Sequence, residues 1–183
     1  MMQTMKPALI IVGLGNPGKA YEHTRHNTGF RAVEYLVKEI GEGKWAFKQK
    51  FNADICEARM VTIPILLVKP RTFINLSGES VQKILNFYKA DASHIFVVSD
   101  DIDLPLGEVR YRTRGGPGTH NGMKSVVDTI GEEFPRIRLG LGSPPQGMDL
   151  STWVLSQCTE EENKKLREAF KKIPDVLKEH VGL

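Results

Sequence analysis

The chain has 183 residues, of which 40% are hydrophobic and 26% are charged, and its formal net charge is +3. This balance is typical of one soluble globular domain spanning residues 1–183, and it excludes a disordered or fibrous chain. No apolar run approaches the roughly 18 residues that a membrane helix needs, and the start shows no cleavable signal. We therefore expect a cytoplasmic protein with no membrane partner. Two isolated cysteines, Cys56 and Cys158, indicate reduced thiols.

Apolar, β-rich runs alternate along the chain with segments of helical periodicity. We predict strands at 8–13, 52–58 (exposed), 63–69, 94–100, 108–114 and 136–142. We predict helices at 28–40, 77–89 and 121–131, and a last helix that begins at the capping box 159–162. Pro174 ends that helix or starts another. Continuous apolar strands beside helices predict an α/β domain whose sheet is covered on both faces.

The first strand leads into Gly13-Leu14-Gly15-Asn16-Pro17-Gly18, which matches the dinucleotide-binding pattern G-x-G-x-x-G. In that motif the third glycine opens a helix, and an acidic residue follows about 20 positions later. Here helical periodicity begins about ten residues after Gly18, and Lys38 and Glu39 lie inside the predicted helix. The motif therefore does not predict a nucleotide cofactor, and we interpret its glycines as a sharp turn.

Polar side chains collect where the predicted strands end, which is where α/β sheets place their functional sites. They are Asn16, Asn75, Asp100, His120 and Asn121, with His26 just before the first helix. The three asparagines suit an uncharged substrate, since each amide offers two donors and an acceptor. One of them also suits donation to a developing oxyanion. A cap or a turn is the alternative for Asn75 and Asn121.

His26 is the strongest candidate for proton transfer. The positive end of the following helix disfavours the imidazolium ion, so we expect a neutral ring that acts as a general base near pH 7. Asp100 is the candidate carboxylate that fixes the tautomer of this ring. On the residues alone, a hydrogen-bonded loop histidine is an equally good interpretation of His26, and a strand-end turn residue is the alternative for Asp100.

Basic residues alternate along two predicted strands. Arg110, Arg112 and Arg114 share one strand face at intervals of about 6.6 Å. Arg136 and Arg138 do the same on a later strand. A stripe of guanidinium groups suits phosphate binding, and a solvated strand edge that discourages aggregation is the alternative.

Four blocks of the sequence together resemble the bacterial-type peptidyl-tRNA hydrolases. They are VGLGNPGKAYEHTRHNTGF, KPRTFINLSGESV, VVSDDIDLPLGEVRYRTRGGPGTHNGMKSV and FPRIRLGLGSP, in the order in which that family has them. The resemblance implies one α/β domain with a mixed twisted β-sheet flanked by helices on both faces, which is usually monomeric. It implies cleavage of the ester between a peptide and the 3′ end of tRNA. Peptidyl-tRNA is then the partner, and neither a metal nor an organic cofactor is implied.

The resemblance also implies a role for individual residues. It assigns catalysis to three residues, His26, Asp100 and Asn16. His26 would be the base, and Asp100 would orient it. The group that lines the cleft and holds the substrate is Tyr21, Phe73, Asn75 and Asn121. The group that contacts tRNA phosphate is Arg110, Arg112 and Arg138. The asparagines together would hold the peptide, the attacking water and the oxyanion.

The chain departs from the family pattern at four positions. Ile74 replaces a frequent methionine, and we expect this to change the packing of the peptide. Pro117 and Thr119 stand where histidine and glycine or serine are frequent, which changes the expected mobility of that loop. Ser143 stands where histidine or arginine is often found, and this removes one expected phosphate contact.

Three other functions remain open on sequence grounds. One is a non-catalytic RNA-binding relative, since a plant organelle splicing factor resembles these hydrolases; the presence of His26, Asp100 and all three asparagines argues against it. Another is a metal-dependent hydrolase that uses Asp100, Asp101 and Asp103, which full activity in a chelator would exclude. The third is a nucleotide-cofactor enzyme, which the late start of the first helix disfavours.

Overall fold

The computed structural model describes residues 5–183. Its strands are β1 (Leu9–Gly13), β2 (Ala46–Lys48), β3 (Ala53–Met60), β4 (Ile63–Pro70), β5 (Ile95–Asp101), β6 (Val109–Arg112) and β7 (Arg136–Gly140). Its α-helices are α1 (Thr28–Ile40), α2 (Ser77–Tyr88), α3 (Asn121–Ile130), α4 (Leu150–Leu155), α5 (Glu160–Phe170) and α6 (Ile173–Val181). None of the helices in this range combines the length and the apolar character that a bilayer crossing requires.

The strands form one seven-stranded sheet in the order β2-β3-β4-β1-β5-β7-β6. Neighbours from β4 through β1 and β5 to β7 pair in parallel. The pairs β2–β3, β3–β4 and β6–β7 are antiparallel. The mixed sheet that the resemblance implies is therefore confirmed, and the carboxyl end of β1 lies between those of β4 and β5.

Side chains of the central strand β1 alternate between two hydrophobic cores. Leu9 and Ile11 pack in the core that also contains side chains of α1, α5 and α6. Ile10 and Val12 pack in the second core, with side chains of α2 and α3. Because successive side chains of a strand point to opposite faces, the two cores lie on the two faces of the sheet. The predicted covering of both faces by helices is confirmed.

Two short elements escape the sequence analysis, and one strand has the wrong predicted environment. β2 has three residues, all exposed, and α4 has six. Both elements are too short to show a clear periodicity in the sequence. β2 forms the outer edge of the sheet and pairs with β3. β3 is therefore an interior strand with Ala53, Ile55 and Cys56 buried, so the exposed strand predicted at 52–58 is wrong.

The last part of the chain follows the predicted pattern. Thr159 and Glu162 form the predicted capping box at the start of α5. Pro174 lies in the first turn of α6, so it starts a further helix, as its fixed φ and missing N–H allow there. The two cysteines are free thiols, as predicted from their spacing.

Glycines bring α1 unusually close to the ends of β1 and β5. A Cβ atom at Gly13 would lie 2.3 Å from the carbonyl oxygen of Gly29, and one at Gly29 would lie 2.4 Å from the carbonyl oxygen of Val98. Residues with a side chain cannot make this approach. The turn that precedes α1 is consequently held beside the carboxyl end of β5, where Asp100 lies.

The glycine motif does not have the geometry of a dinucleotide loop. Gly18 is followed by a 3₁₀ turn at Lys19–Tyr21, and α1 begins at Thr28. The helix N-terminus that would receive a pyrophosphate is therefore not at the third glycine. The structure agrees with the interpretation of the motif as a turn and adds close packing of α1 as a second reason for glycine.

Candidate active site

The carboxyl ends of β1 and β5 bring the predicted polar side chains together. Asp100 is the penultimate residue of β5, and Asn16 follows β1. His26 lies in the 3₁₀ turn Arg25–Asn27 that leads into α1, and its Nδ1 lies 2.9 Å from Oδ2 of Asp100. Both side chains are buried. The structure thus joins the histidine and the carboxylate that the sequence analysis paired.

A second imidazole contacts the other oxygen of the same carboxylate. His120 is the N-cap of α3, and its Nε2 lies 2.8 Å from Oδ1 of Asp100. Its Nδ1 accepts a hydrogen bond of 3.1 Å from the backbone N–H of Met123. Nδ1 of His120 therefore carries a lone pair, and Nε2 carries the proton that is donated to Asp100.

These contacts also fix the tautomer of His26. A carboxylate accepts hydrogen bonds, so Nδ1 of His26 is the protonated nitrogen and donates to Asp100. Nε2 of His26 is left with its lone pair. The ring borders a cleft of about 730 Å³, so this nitrogen is available to accept a proton from a bound water.

The charge on Asp100 controls the protonation of His26. Burial lowers the pKa of His26, but the negative charge and the hydrogen bond of Asp100 together outweigh it, so the pKa lies above its usual 6.5. The helix N-terminus alone led us to expect a lowered pKa for His26; this direction is wrong because the charge and the hydrogen bond of Asp100 raise the pKa. Burial would raise the pKa of Asp100, but interactions with His120 and His26 hold it well below its usual range.

The side-chain amide of Asn16 has a fixed orientation. Its Oδ1 accepts a hydrogen bond of 2.8 Å from the backbone N–H of Ile74. Its backbone N–H donates to Oδ1 of Asn27 at 2.8 Å, and Nδ2 of Asn27 donates to its carbonyl oxygen at 2.9 Å. With Oδ1 occupied, Nδ2 of Asn16 is the donor that remains for a ligand in the cleft.

The other two predicted asparagines line the same cleft as His26 and Asp100. Asn75 lies in the 3₁₀ turn before α2, and Asn121 is the first residue of α3. Both side chains are exposed. Neither side chain caps a helix, so the capping alternative does not describe them.

Tyr21 and Phe73 lie beside the cleft and contact each other. Their ring centroids are 6.4 Å apart in an edge-to-face arrangement. Phe73 is 51% exposed and directly precedes Ile74 and Asn75, which line the cleft. The aromatic pair therefore stands next to the cleft, and it does not form part of the lining around His26.

The predicted arginines have different environments. The register pairs Arg110 with Arg138 across β6 and β7, so their side chains lie on one face of the sheet. Arg112 and Arg138 line the cleft, and Arg138 forms an ion pair with Asp101. Arg110 forms an ion pair with Glu108 and lies outside the cleft lining.

Arg136 has a different environment from the others in the predicted stripe. It is 2% exposed, and its guanidinium donates to the backbone carbonyl oxygens of Glu132, Phe134 and Gly116 at 3.0–3.4 Å. Its donors are therefore occupied by the protein, which removes it from the phosphate stripe proposed on sequence grounds. Its contact with Gly116 instead ties the loop before His120 to β7.

The aspartates of the metal alternative do not converge. Asp101 pairs with Arg138, and its Oδ1 accepts the backbone N–H of Asp103. Within residues 5–183, the group with the spacing of a metal site is His26, Asp100 and His120. In that group both imidazole nitrogens that face Asp100 carry protons, whereas a metal ligand must offer a lone pair. Hydrogen bonding alone accounts for the arrangement.

Three of the four departures from the family pattern lie at the cleft. Ile74, Pro117 and Thr119 are lining residues. Ser143 lies on the segment after β7, and its hydroxyl donates to the carbonyl oxygen of Ile102 at 3.4 Å. Three departures therefore change the lining of the cleft, and the fourth does not.

Two parts of the site were not predicted from the sequence. His120 was predicted as a polar residue at a strand end, but its contact with Asp100 was not, because no spacing along the chain relates the two. The other part is α4, whose residues Leu150, Val154 and Leu155 form an apolar part of the cleft lining. The signal for α4 was Asp149, which caps it by accepting the backbone N–H of Thr152.

Comparisons with known proteins identify the family. Residues 10–182 match the family described as Peptidyl-tRNA hydrolase. A peptidyl-tRNA hydrolase of Rickettsia bellii (strain RML369-C) is 43% identical over 167 residues, which are 91% of this chain and 90% of that protein. One of Chloroflexus aggregans is 45% identical over 171 residues, 92% and 89% of the two chains. The crystal structure of peptidyl-tRNA hydrolase from Acinetobacter baumannii has a TM-score of 0.88 and 34% identity, and it covers 96% of this chain and 89% of that one. The chain therefore belongs to the peptidyl-tRNA hydrolase family.

Proposed function

We propose that this chain hydrolyses the ester bond between a peptide, or an N-blocked amino acid, and the 3′ end of tRNA. The reaction recycles tRNA from prematurely released peptidyl-tRNA. Family membership supports the reaction class. The observation that carries the mechanism is the 2.9 Å contact between Nδ1 of His26 and Asp100, which leaves Nε2 of the same ring free to act as a base.

In the proposed reaction, Nε2 of His26 takes a proton from a water molecule as the water oxygen attacks the ester carbonyl. Nδ2 of Asn16 donates a hydrogen bond to the oxygen on which negative charge develops. The intermediate then releases the 3′ oxygen of the tRNA, which receives the proton from His26. Asp100 holds the ring in the required tautomer and stabilises the imidazolium ion. General base catalysis of this kind supplies roughly 10²–10⁴-fold in rate.

The remaining residues of the cleft suit the two halves of the substrate. The free amides of Asn75 and Asn121 match the amide groups of a peptide, which need both donors and acceptors. Tyr21 and Phe73, beside the cleft, offer aromatic contact to the part of the bound peptide that extends out of the cleft. The phosphates of the tRNA acceptor end suit the guanidinium groups of Arg112 and Arg138 in the cleft lining and of Arg110 outside it.

We further propose that the chain acts as a monomer in the cytoplasm. His26, Asp100, His120 and the three asparagines all come from one chain, so the proposed chemistry requires no second copy. Sedimentation at the concentrations used for assay measures the oligomeric state. A dimer that is more active than the monomer would contradict this proposal.

The decisive experiment compares acetylated with free aminoacyl-tRNA as substrates. We expect cleavage of the acetylated form alone. We also expect no loss of rate in excess chelator, because the proposed base is a neutral imidazole oriented by a carboxylate and no step uses a metal. Cleavage of both forms, or activity lost in chelator and restored by a metal, would contradict the proposal.

The variant His26→Ala tests the role of the imidazole. We expect loss of most turnover with tRNA binding retained, because the imidazole takes part in proton transfer. Equal losses of rate and binding would instead make His26 structural.

A further inference from the structure

Arg25, the residue before His26, is buried and makes several polar contacts with one segment of the chain. It is 5% exposed. Its Nη1 donates to Oγ of Ser156 at 2.7 Å and to the carbonyl oxygen of Gln157 at 2.6 Å. Its Nη2 donates to Oε2 of Glu162 at 2.6 Å. The guanidinium also lies 3.7 Å from the ring centroid of Trp153, within the range of a cation–π contact.

The segment that Arg25 holds includes the short helix of the cleft. Trp153 belongs to α4, and Ser156 and Gln157 follow it directly. A helix of six residues has little stability of its own, so its position depends on contacts with the rest of the fold. Trp153 makes one such contact, from Nε1–H to the carbonyl oxygen of Gly142 at 3.2 Å.

The backbone around Arg25 contacts the same segment. Its N–H donates to the carbonyl oxygen of Ser156 at 2.9 Å, and the preceding Thr24 forms an isolated β-bridge with Gln157. The 3₁₀ turn that carries His26 and the end of α4 are therefore joined through both backbone and side chain. A shift of α4 along this joint changes the distance between His26 and the apolar lining formed by Leu150 and Val154.

We propose that Arg25 is a positioning residue that holds α4 at a fixed distance from His26, so that the ester carbonyl lies in line with the water that His26 activates. This inference rests on the proposed function. A guanidinium can fill the site because its planar fork donates to several acceptors while its face stacks on an indole. The ammonium of a lysine cannot do both, so Arg25→Lys keeps the charge and loses the geometry.

The test measures kcat and KM of Arg25→Lys with acetylated aminoacyl-tRNA, per folded molecule. We expect kcat to fall about 10–100-fold, since a misplacement of about 1 Å costs on the order of 10²-fold in rate. We expect KM to change much less, and the acid limb of the pH profile to stay in place, because the pair of His26 and Asp100 is untouched. A normal kcat with a lowered melting temperature would overturn the proposal.

Arg31→Lys is the matched control. Arg31, on α1, also reaches towards α5: its Nη2 donates to Oδ1 of Asn163 at 2.7 Å, and its Nη1 lies 3.9 Å from Sγ of Cys158. These contacts are with residues beyond α4 and leave Trp153 untouched. We expect a similar loss of thermal stability and an unchanged kcat. Equal losses of kcat in both variants would assign the effect to the docking of α5 and overturn the proposal.

A second variant, Glu162→Gln, keeps the proposal testable if Arg25→Lys does not fold. Glutamine keeps the shape and still serves the capping box with Thr159, but it removes the charge that faces Arg25. We expect a smaller fall in kcat in the same direction, and an unchanged kcat would count against the proposal.

A measurement without substrate separates this inference from the proposed function. In Arg25→Lys the indole N–H of Trp153 should exchange faster with solvent, because α4 is held less firmly. If the wild type fails to cleave the ester but this exchange still accelerates, the proposed function is wrong and the tie between Arg25 and α4 stands. Unchanged exchange would refute the tie itself.

Discussion

Replacing Asp100 with asparagine perturbs the centre of the site without changing its shape. In the wild type, Asp100 accepts a hydrogen bond from each of two imidazoles. An asparagine offers one acceptor and one NH₂ donor in the same place. His120 cannot adapt, because its Nδ1 already accepts the backbone N–H of Met123 at 3.1 Å and its proton must stay on Nε2. The substituted amide oxygen therefore faces His120, and its NH₂ group faces His26.

The consequence for His26 is a reversed tautomer. Facing an NH₂ donor, its Nδ1 must carry the lone pair, so the proton moves to Nε2 and the base is lost. Reversal of the same kind in a carboxylate–imidazole pair lowers kcat by about 10⁴, or about 5.4 kcal/mol in activation free energy. The substitution also removes the charge that raises the pKa of His26. We expect a loss of this size in Asp100→Asn with an unchanged Kd for tRNA.

Single-turnover hydrolysis of acetylated aminoacyl-tRNA measures the loss, and ¹⁵N NMR of the imidazoles reports the tautomer. Asp128→Asn is the control, since this exposed carboxylate of α3 pairs with Lys124 and contacts no histidine; we expect normal kinetics. A kcat of Asp100→Asn within tenfold of the wild type would refute the argument. So would a large loss with the proton still on Nδ1 of His26.

Three further predictions concern pH and salt. Because the base must be neutral and its pKa lies above 6.5, kcat/KM should rise with pH through that raised value; a midpoint at or below 6.5 would contradict this. Because the pKa of His26 is raised in the folded state, its ion pair with Asp100 adds to the free energy of unfolding at low pH. This contribution is lost as pH rises through the raised pKa. Urea unfolding on both sides of it measures the decrease, and an increase would contradict the shift. Arg138→Ala should weaken tRNA binding and reduce the slope of log Kd against log salt by about 1, with a smaller effect for Arg110→Ala, which lies outside the cleft lining. An unchanged slope in Arg138→Ala would remove it from the phosphate site.

Much of the site was predictable because it depends on local rules. Strand ends are visible in the sequence as the last apolar residue of a run, and parallel strands end at the same edge of a sheet. Asn16 and Asp100 were therefore expected at the same edge of the sheet, and they lie close together because β1 and β5 are neighbours, which only the structure shows. His26 could be added because the helical periodicity starts directly after it. The predicted helix at 28–40 and the α-helix Thr28–Ile40 have the same bounds.

The rest of the site depends on contacts between segments that no spacing reveals. Arg136 and Arg138 look alike in the sequence and both border the cleft, yet Arg136 is buried with its guanidinium on three carbonyl oxygens, whereas Arg138 is partly exposed and pairs with Asp101. The difference arises because the loop at Gly116 folds over the first of them. The direction of the pKa shift of His26 failed for a related reason, since the distance to Asp100 decides it and only the structure supplies that distance.

The start of α3 determines which oxygen of Asp100 remains for His26. As a carboxylate, Asp100 accepts a hydrogen bond from each imidazole and so places the proton of His26 on Nδ1. The first turn of α3 presents the N–H of Met123 to His120 and fixes that ring, so His120 donates to Oδ1 and leaves Oδ2 for His26. Arg136 in turn holds the loop that leads into α3, through Gly116. A displaced start of α3 would therefore reach His26 through Asp100, in addition to moving Asn121 in the cleft lining.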